Sequence, residues 1–123
     1  MSGFSERLYI FESPIDAMSH ASLEYAETGA WQKHSRLSLA GTTDMAIPFF
    51  LKQHTAVSNL VFCLDNDSAG QKAASNMVHK YADKGYLTSI QPPKGKDYNE
   101  DLLALRAQGK ASKQAISRQY EER

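Results

Sequence analysis

Asp65 and Asp67 flank Asn66 directly after an apolar run, Leu60-Val61-Phe62-Cys63-Leu64, and Ser68-Ala69-Gly70 leads from them into a helical stretch. The run has the length and composition of a buried strand. Side chains two apart on a strand share a face, so the two carboxylates are expected to project together from its carboxyl end. In an open α/β sheet that end is where ligands sit. Two close carboxylates repel, and they tend to keep their protons unless a cation or hydrogen-bond donors offset the charge. A hard divalent cation with oxygen ligands, Mg²⁺ above all, is the natural partner.

A second acid ends another apolar run. Leu8-Tyr9-Ile10-Phe11 stops at Glu12, followed by Ser13 as a candidate N-cap, Pro14 at a first helical position and Asp16 in the first turn. Near a carboxylate pair, Glu12 would hold its proton to higher pH, which suits proton transfer. Phosphoryl transfer needs charge stabilised on nonbridging oxygens and the reacting groups held in line, and one or two Mg²⁺ ions supply both. Mg²⁺ keeps several waters and takes one or two protein carboxylates. Asp65 and Asp67 suffice for one ion, and Glu12 or Asp97 could help with a second. Lys94 and Lys96, if they point to the same rim, could hold a phosphate backbone.

The elements that must position these groups are readable from periodicity and punctuation. Ile15, Met18, Ser22 and Tyr25 fall at helical spacing, with Gly29 past their end; residues 30–36 read as a loop. Residues 37–41 read as a second strand, 44–53 as a helix behind Thr42 or Thr43, and 59–64 as the third strand. Residues 69–83 form the third helix, with Ala69, Ala73, Met77 and Tyr81 on one stripe and Gly85 as its stop. Residues 86–90 form a fourth strand halted by Pro92-Pro93, and Asp97 or Asn99 caps a last helix through Leu102, Leu103 and Leu105. Alternating strands and helices imply right-handed βαβ units and a parallel sheet. A sheet order of 2-1-3-4 sets the first and third strands side by side and brings Glu12, Asp65 and Asp67 to one switch point.

Composition bounds the function. The 123 residues suit one domain over 1–123, with a core over about 7–105 and a polar, helix-permissive tail over about 110–123. Formal net charge is zero, which argues against a free-standing, tight nucleic-acid binder. It leaves room for a catalytic module handed its nucleic acid by other domains. No apolar run approaches the ~20 residues of a membrane span, and Met1-Ser2-Gly3-Phe4-Ser5-Glu6-Arg7 lacks the form of a signal peptide. Cys63, the lone cysteine, reads as a buried core thiol, and a reducing cytoplasm fits. The four histidines, His20, His34, His54 and His79, lack ligand spacing, read as surface or helix-face residues and give no case for zinc. Trp31, Phe49 and Phe50 read as packing residues.

Three blocks then line up: Glu12-x-x-x-Asp16 after a strand, Asp65-x-Asp67-x-Ala69-Gly70 after another, and Gly95-Lys96-Asp97 before a helix. Together they resemble the Toprim domain, the metal-binding catalytic module of bacterial-type primases, topoisomerases and related nucleases. The likeness covers about residues 7–105 and leans to the primase-like branch found in plasmid and mobile-element proteins. It implies a Rossmann-like α/β fold and a Mg²⁺- or Mn²⁺-dependent nucleotidyl or phosphodiester transfer on DNA or RNA. It implies that Glu12 is the general acid or base, that Asp65 and Asp67 are metal ligands, and that Asp97 is a further acid at the metal. Asp16 matches an acid one helical turn after the glutamate, Gly41 a small residue after the second strand, and Gly70 the glycine of the aspartate turn. Ser13-Pro14 stands where glycine commonly follows the glutamate in primases. No zinc-binding or strand-passing segment is present, so a primase or topoisomerase as a whole would need more than this chain, and an excised piece of a larger DNA-processing protein is the expectation.

Two rivals stand beside it. A haloacid-dehalogenase-type phosphatase also places Asp-x-Asp after an apolar strand, with the first aspartate as nucleophile, but that fold begins with this strand and needs later motifs. A non-catalytic Toprim-like module that docks a partner or nucleic acid would keep the fold without turnover.

Overall fold

A computed structural model describes residues 6–28 and 34–121, with side chains through Gly109. Four strands, β1 (Glu6–Phe11), β2 (Ser35–Ser38), β3 (Val57–Phe62) and β4 (Leu87–Ile90), alternate with four helices. The helices are α1 (Pro14–Thr28), α2 (Ala46–Gln53), α3 (Ser68–Asp83) and α4 (Tyr98–Glu121). All strand pairs are parallel, in the order β2-β1-β3-β4. This is the parallel α/β sheet that the alternation implies, in the strand order expected to bring the acids of the first and third strands together.

The two central strands sort their side chains by period 2. Leu8 and Ile10 of β1 and Leu60 and Phe62 of β3 join Ile47 and Leu51 of α2 and Ala74, Met77 and Tyr81 of α3 in one core layer. Tyr9, Phe11, Val61 and Cys63 join Tyr98, with Ala17 and Leu23 of α1 packed against them, in the other. Helices α2 and α3 therefore cover one face, and α1 and α4 the other. Cys63 is buried, as expected, and burial pushes its thiol up to about 12.

Several local expectations need correction. β2 lies earlier than 37–41: Ser35–Ser38 pair with Leu8–Phe11, and Ala40 (φ +55°) and Gly41 (φ +137°) turn the chain away. An edge strand tolerates polar residues such as Ser35 and Arg36, which hid it from an apolar search. β3 ends at Phe62, short of Leu64. The spaced apolar residues of α1 point outward: Ile15, Met18 and Tyr25 are all exposed, while Asp16, Ser19 and His20 are buried. His20 is thus a buried residue and not a surface one, with Arg36 Nε donating to its Nδ1 at 3.1 Å and Gln91 Oε1 3.3 Å from Nε2. Phe49 is exposed, Phe50 packs on the core, and Trp31 and Gly29 lie outside the described residues. No helix among the described residues is long and apolar enough to cross a membrane.

Candidate active site

Parallel pairing of β1 with β3 sets two strand ends next to each other, with Cys63 N–H donating to the Ile10 carbonyl at 2.7 Å. Glu12 lies just beyond one end and Asp65 beyond the other. Their carboxyl groups are close enough for each to act on the other's ionisation. Glu12 Oε1 is buried and has no donor among the described residues. Burial first, then the hydrogen bond with Asp65 and the charges of Asp65, Asp67 and Asp16, push the Glu12 carboxyl up to about 7. Asp65 is raised too, by burial and the charges of Asp16, Asp97 and Asp67, against the hydrogen bond from Glu12.

Two glycines allow this approach. A Cβ on Gly70 would collide with the Asp65 carbonyl oxygen and sit 3.0 Å from Glu12 Oε1. The first turn of α3 can therefore press against both acids only with glycine there. Gly41, held at positive φ, donates its N–H to the Glu12 carbonyl at 2.8 Å. The loop after β2 thus fixes the backbone of the glutamate.

Carboxylate oxygens of Asp16, Asp65 and Asp97 lie within 4.8 Å of one another. Asp16 reaches this point as part of the start of α1. Its N–H donates to Ser13 Oγ at 3.3 Å, and Ser13 Oγ donates back to Asp16 Oδ2 at 2.8 Å. Its other oxygen accepts the Asn99 N–H at 3.2 Å, which ties α1 to the start of α4. Asp97 caps α4, its Oδ1 accepting the Glu100 N–H at 2.8 Å. Ser13-Pro14 thus has a local role as cap and first helical residue.

Asp67 is placed differently from its neighbour. Because β3 stops at Phe62, strand alternation does not reach it. It is the N-cap of α3, with Oδ1 accepting the Gly70 N–H at 2.8 Å. Its charge still acts on Glu12 and Asp65. Lys94 and Lys96 are exposed on the loop before α4. Asn66, which sequence reasoning gave no role, clamps that loop: its N–H donates to the Lys96 carbonyl at 2.6 Å and its amide to the Pro93 carbonyl at 3.4 Å. Asp101 accepts from the N–H groups of Lys94 and Gly95 at 2.8 and 2.7 Å. Gln71 donates to the Asp65 carbonyl at 3.0 Å. An Asx side chain in a turn is the one signal that could have marked Asn66.

A parallel 2-1-3-4 sheet with acids gathered at the ends of its central strands defines a class, and the sequence profile of the Toprim-like family matches residues 9–102. The chain belongs to that family. It is 39% identical over 71 residues to the MG010 homolog of Mycoplasma pneumoniae, an uncharacterized protein; the match takes in 54% of this chain and 32% of that one. The chain thus spans about a third of that relative's length. The primase fragment of the bacteriophage T7 primase-helicase shares the fold, with a TM-score of 0.59 and 17% identity over 81% of this chain and 40% of that one. A protein from Aquifex aeolicus gives a TM-score of 0.51 and 14% identity over 68% of each chain.

Proposed function

We propose that the chain is the catalytic module of a Mg²⁺- or Mn²⁺-dependent enzyme, primase-like or nuclease, that transfers nucleotidyl or phosphodiester groups on DNA or RNA. The observation that carries this is the gathering of Asp16, Asp65 and Asp97, with carboxylate oxygens within 4.8 Å of one another, near Glu12, whose Oε1 is buried and has no donor among the described residues. So many carboxylates in one place are costly without a cation. The donor set is all oxygen, which fits a hard divalent ion. Asp65 would hold it with Asp97, and Asp67 would add its charge; both oxygens of Asp16 already accept protein donors, so Asp16 chiefly positions the start of α4. When bound, such an ion offsets charge on the nonbridging oxygens of a phosphate.

The chain's own residues do the rest. Glu12, titrating near neutrality, is suited to take or give a proton at the reacting oxygen. Gly41 and Gly70 hold it in place, and exposed Lys94 and Lys96 face solvent where backbone phosphates would pass. Net charge is zero, so delivery of the nucleic acid falls to other domains or proteins. That neutrality also suits a docking module without turnover. One assay separates the two: wild type and Glu12→Gln are incubated with single-stranded DNA, RNA and nucleoside triphosphates plus Mn²⁺. Synthesis or cleavage by wild type that the variant lacks supports the catalytic assignment. Identical behaviour refutes it and favours docking.

A further inference from the structure

Asp97 reaches the acidic centre from the loop between β4 and α4, where the chain has left the sheet. β4 ends at Ile90, and Pro92-Pro93 have no N–H with which to continue a ladder. The stretch that follows is held from two sides. Asn66, on the turn after β3, takes one: its N–H donates to the Lys96 carbonyl at 2.6 Å and its amide to the Pro93 carbonyl at 3.4 Å. Asp101, in the first turn of α4, takes the other. Its Oδ2 accepts the Lys94 N–H at 2.8 Å and its Oδ1 the Gly95 N–H at 2.7 Å. Residues 93 to 96 thus each give one backbone group to Asn66 or Asp101, and they lead straight into Asp97.

Asp101 is an acid near the centre, yet its surroundings do not suit a metal ligand. The oxygens that gather within 4.8 Å belong to Asp16, Asp65 and Asp97, and Asp101 stands one helical turn further along α4. Both of its oxygens accept from successive backbone N–H groups, which makes two short, charge-assisted bonds to the chain itself. Its own N–H donates to the Asp97 carbonyl at 3.2 Å, so Asp101 folds the loop and the helix start against each other. We propose that Asp101, seconded by Asn66, is a positioning residue of the acidic centre: it fixes the β4–α4 loop so that Asp97 stands within reach of Asp65, and it is not itself a ligand. This rests on the divalent-metal reading proposed above. Residues that orient metal ligands set affinity strongly, and losing one typically costs about 10–100-fold. A purely structural part, steadying the first turn of α4, would lower the melting temperature and leave the folded protein's affinity for metal unchanged.

Electron paramagnetic resonance of free Mn²⁺ reads binding to the full chain without turnover. Wild type is compared with Asp101→Asn, which keeps the shape but turns one acceptor into a donor facing an N–H. Glu100→Gln, at the exposed neighbouring acid, removes the same charge and serves as the control. Thermal melts keep every titration well below unfolding. Asp101→Asn should weaken Mn²⁺ binding by about tenfold or more, and Glu100→Gln by less than about twofold. Asn66→Ala, which cuts the bond to Pro93 from an exposed position, should weaken it in the same direction and decides the matter should Asp101→Asn not fold. Wild-type affinity in the deciding variant, or a loss that Glu100→Gln matches, overturns the proposal. A wild type that binds no Mn²⁺ overturns the metal reading and this inference together; wild-type binding that ignores Asp101 overturns this inference alone.

Discussion

Replacing Glu12 with glutamine should stabilise the metal-free protein at high pH and leave it nearly unchanged in acid. The carboxyl is raised from 4.5 to about 7, chiefly by burial and by Asp65. Between those values the folded chain binds the proton that the unfolded chain has released. Stability therefore falls as pH rises from about 4.5 through 7. The full linkage value is about 3 kcal/mol at pH 8. Glu12 is only partly buried, and solvent and counter-ions reduce the expected cost to about 1–2 kcal/mol. Glutamine keeps the shape, bears no charge and can donate to Asp65. For a chain of 123 residues, the variant should melt about 4–8 °C higher than wild type at pH 8, with no difference near pH 4.5. Calorimetry or circular-dichroism melts with a chelator present would measure it. Parallel curves for the two proteins across pH 4.5–8 would refute the crowding of Glu12 against Asp65.

His20 gives the opposite slope: burial and the Arg36 charge lower it from 6.5 to about 4. Its neutral ring adds stability above about 6.5 that is lost as pH falls through 4. His20→Gln should flatten that acid loss, worth about 2 kcal/mol by pH 5 in urea titrations, at the cost of a less stable protein at pH 7. Asp65→Asn with Asp67→Asn should abolish any rise in melting temperature on adding Mg²⁺; an unchanged rise would count against these acids as ligands. Gly70→Ala should cost about 1–3 kcal/mol, because the obstacle is the Asp65 backbone. A chemical melt within 0.5 kcal/mol of wild type would show the first turn of α3 to be looser than described.

The sheet was legible because its signals are local and agree. Apolar runs marked β1, β3 and β4, glycine and proline stopped their neighbours, and strand–helix alternation implied parallel pairing, while the 2-1-3-4 order was the one that joins the strand-end acids. Acids at the ends of two apolar runs were the clue to that order, and with β1 beside β3 Glu12 and Asp65 do come near each other. Asp67 shows where the same logic stops. The alternation rule needs extended backbone, and the chain leaves β3 before reaching it, so the side chain caps α3 instead. A site role for Asp16, and the match of Asp97 to a further acid at the metal, came through the family resemblance. Their approach depends on α1 meeting α4 through the Asn99 N–H, a contact between residues 83 apart in sequence.

α1 defeated the periodic reading for a related reason. The search for an inner face follows apolar residues, yet the most buried residues of α1 are Asp16, Ser19 and His20, beside half-buried Ala17 and Leu23, and the stripe of Ile15, Met18 and Tyr25 is exposed. Buried polar groups are tolerated where each has a partner. Here Asp16 bonds Ser13 and Asn99, Ser19 bonds Asn99, and His20 bonds Arg36 and Gln91. The helix therefore exchanges hydrophobic burial for a polar seam that orients the acids. Departures of this kind from local preference are expected where a fold serves a site. The mismatch between the α1 stripe and its burial is thus itself a pointer to Asp16. It becomes visible only once the residues of α4 that complete the seam are in place.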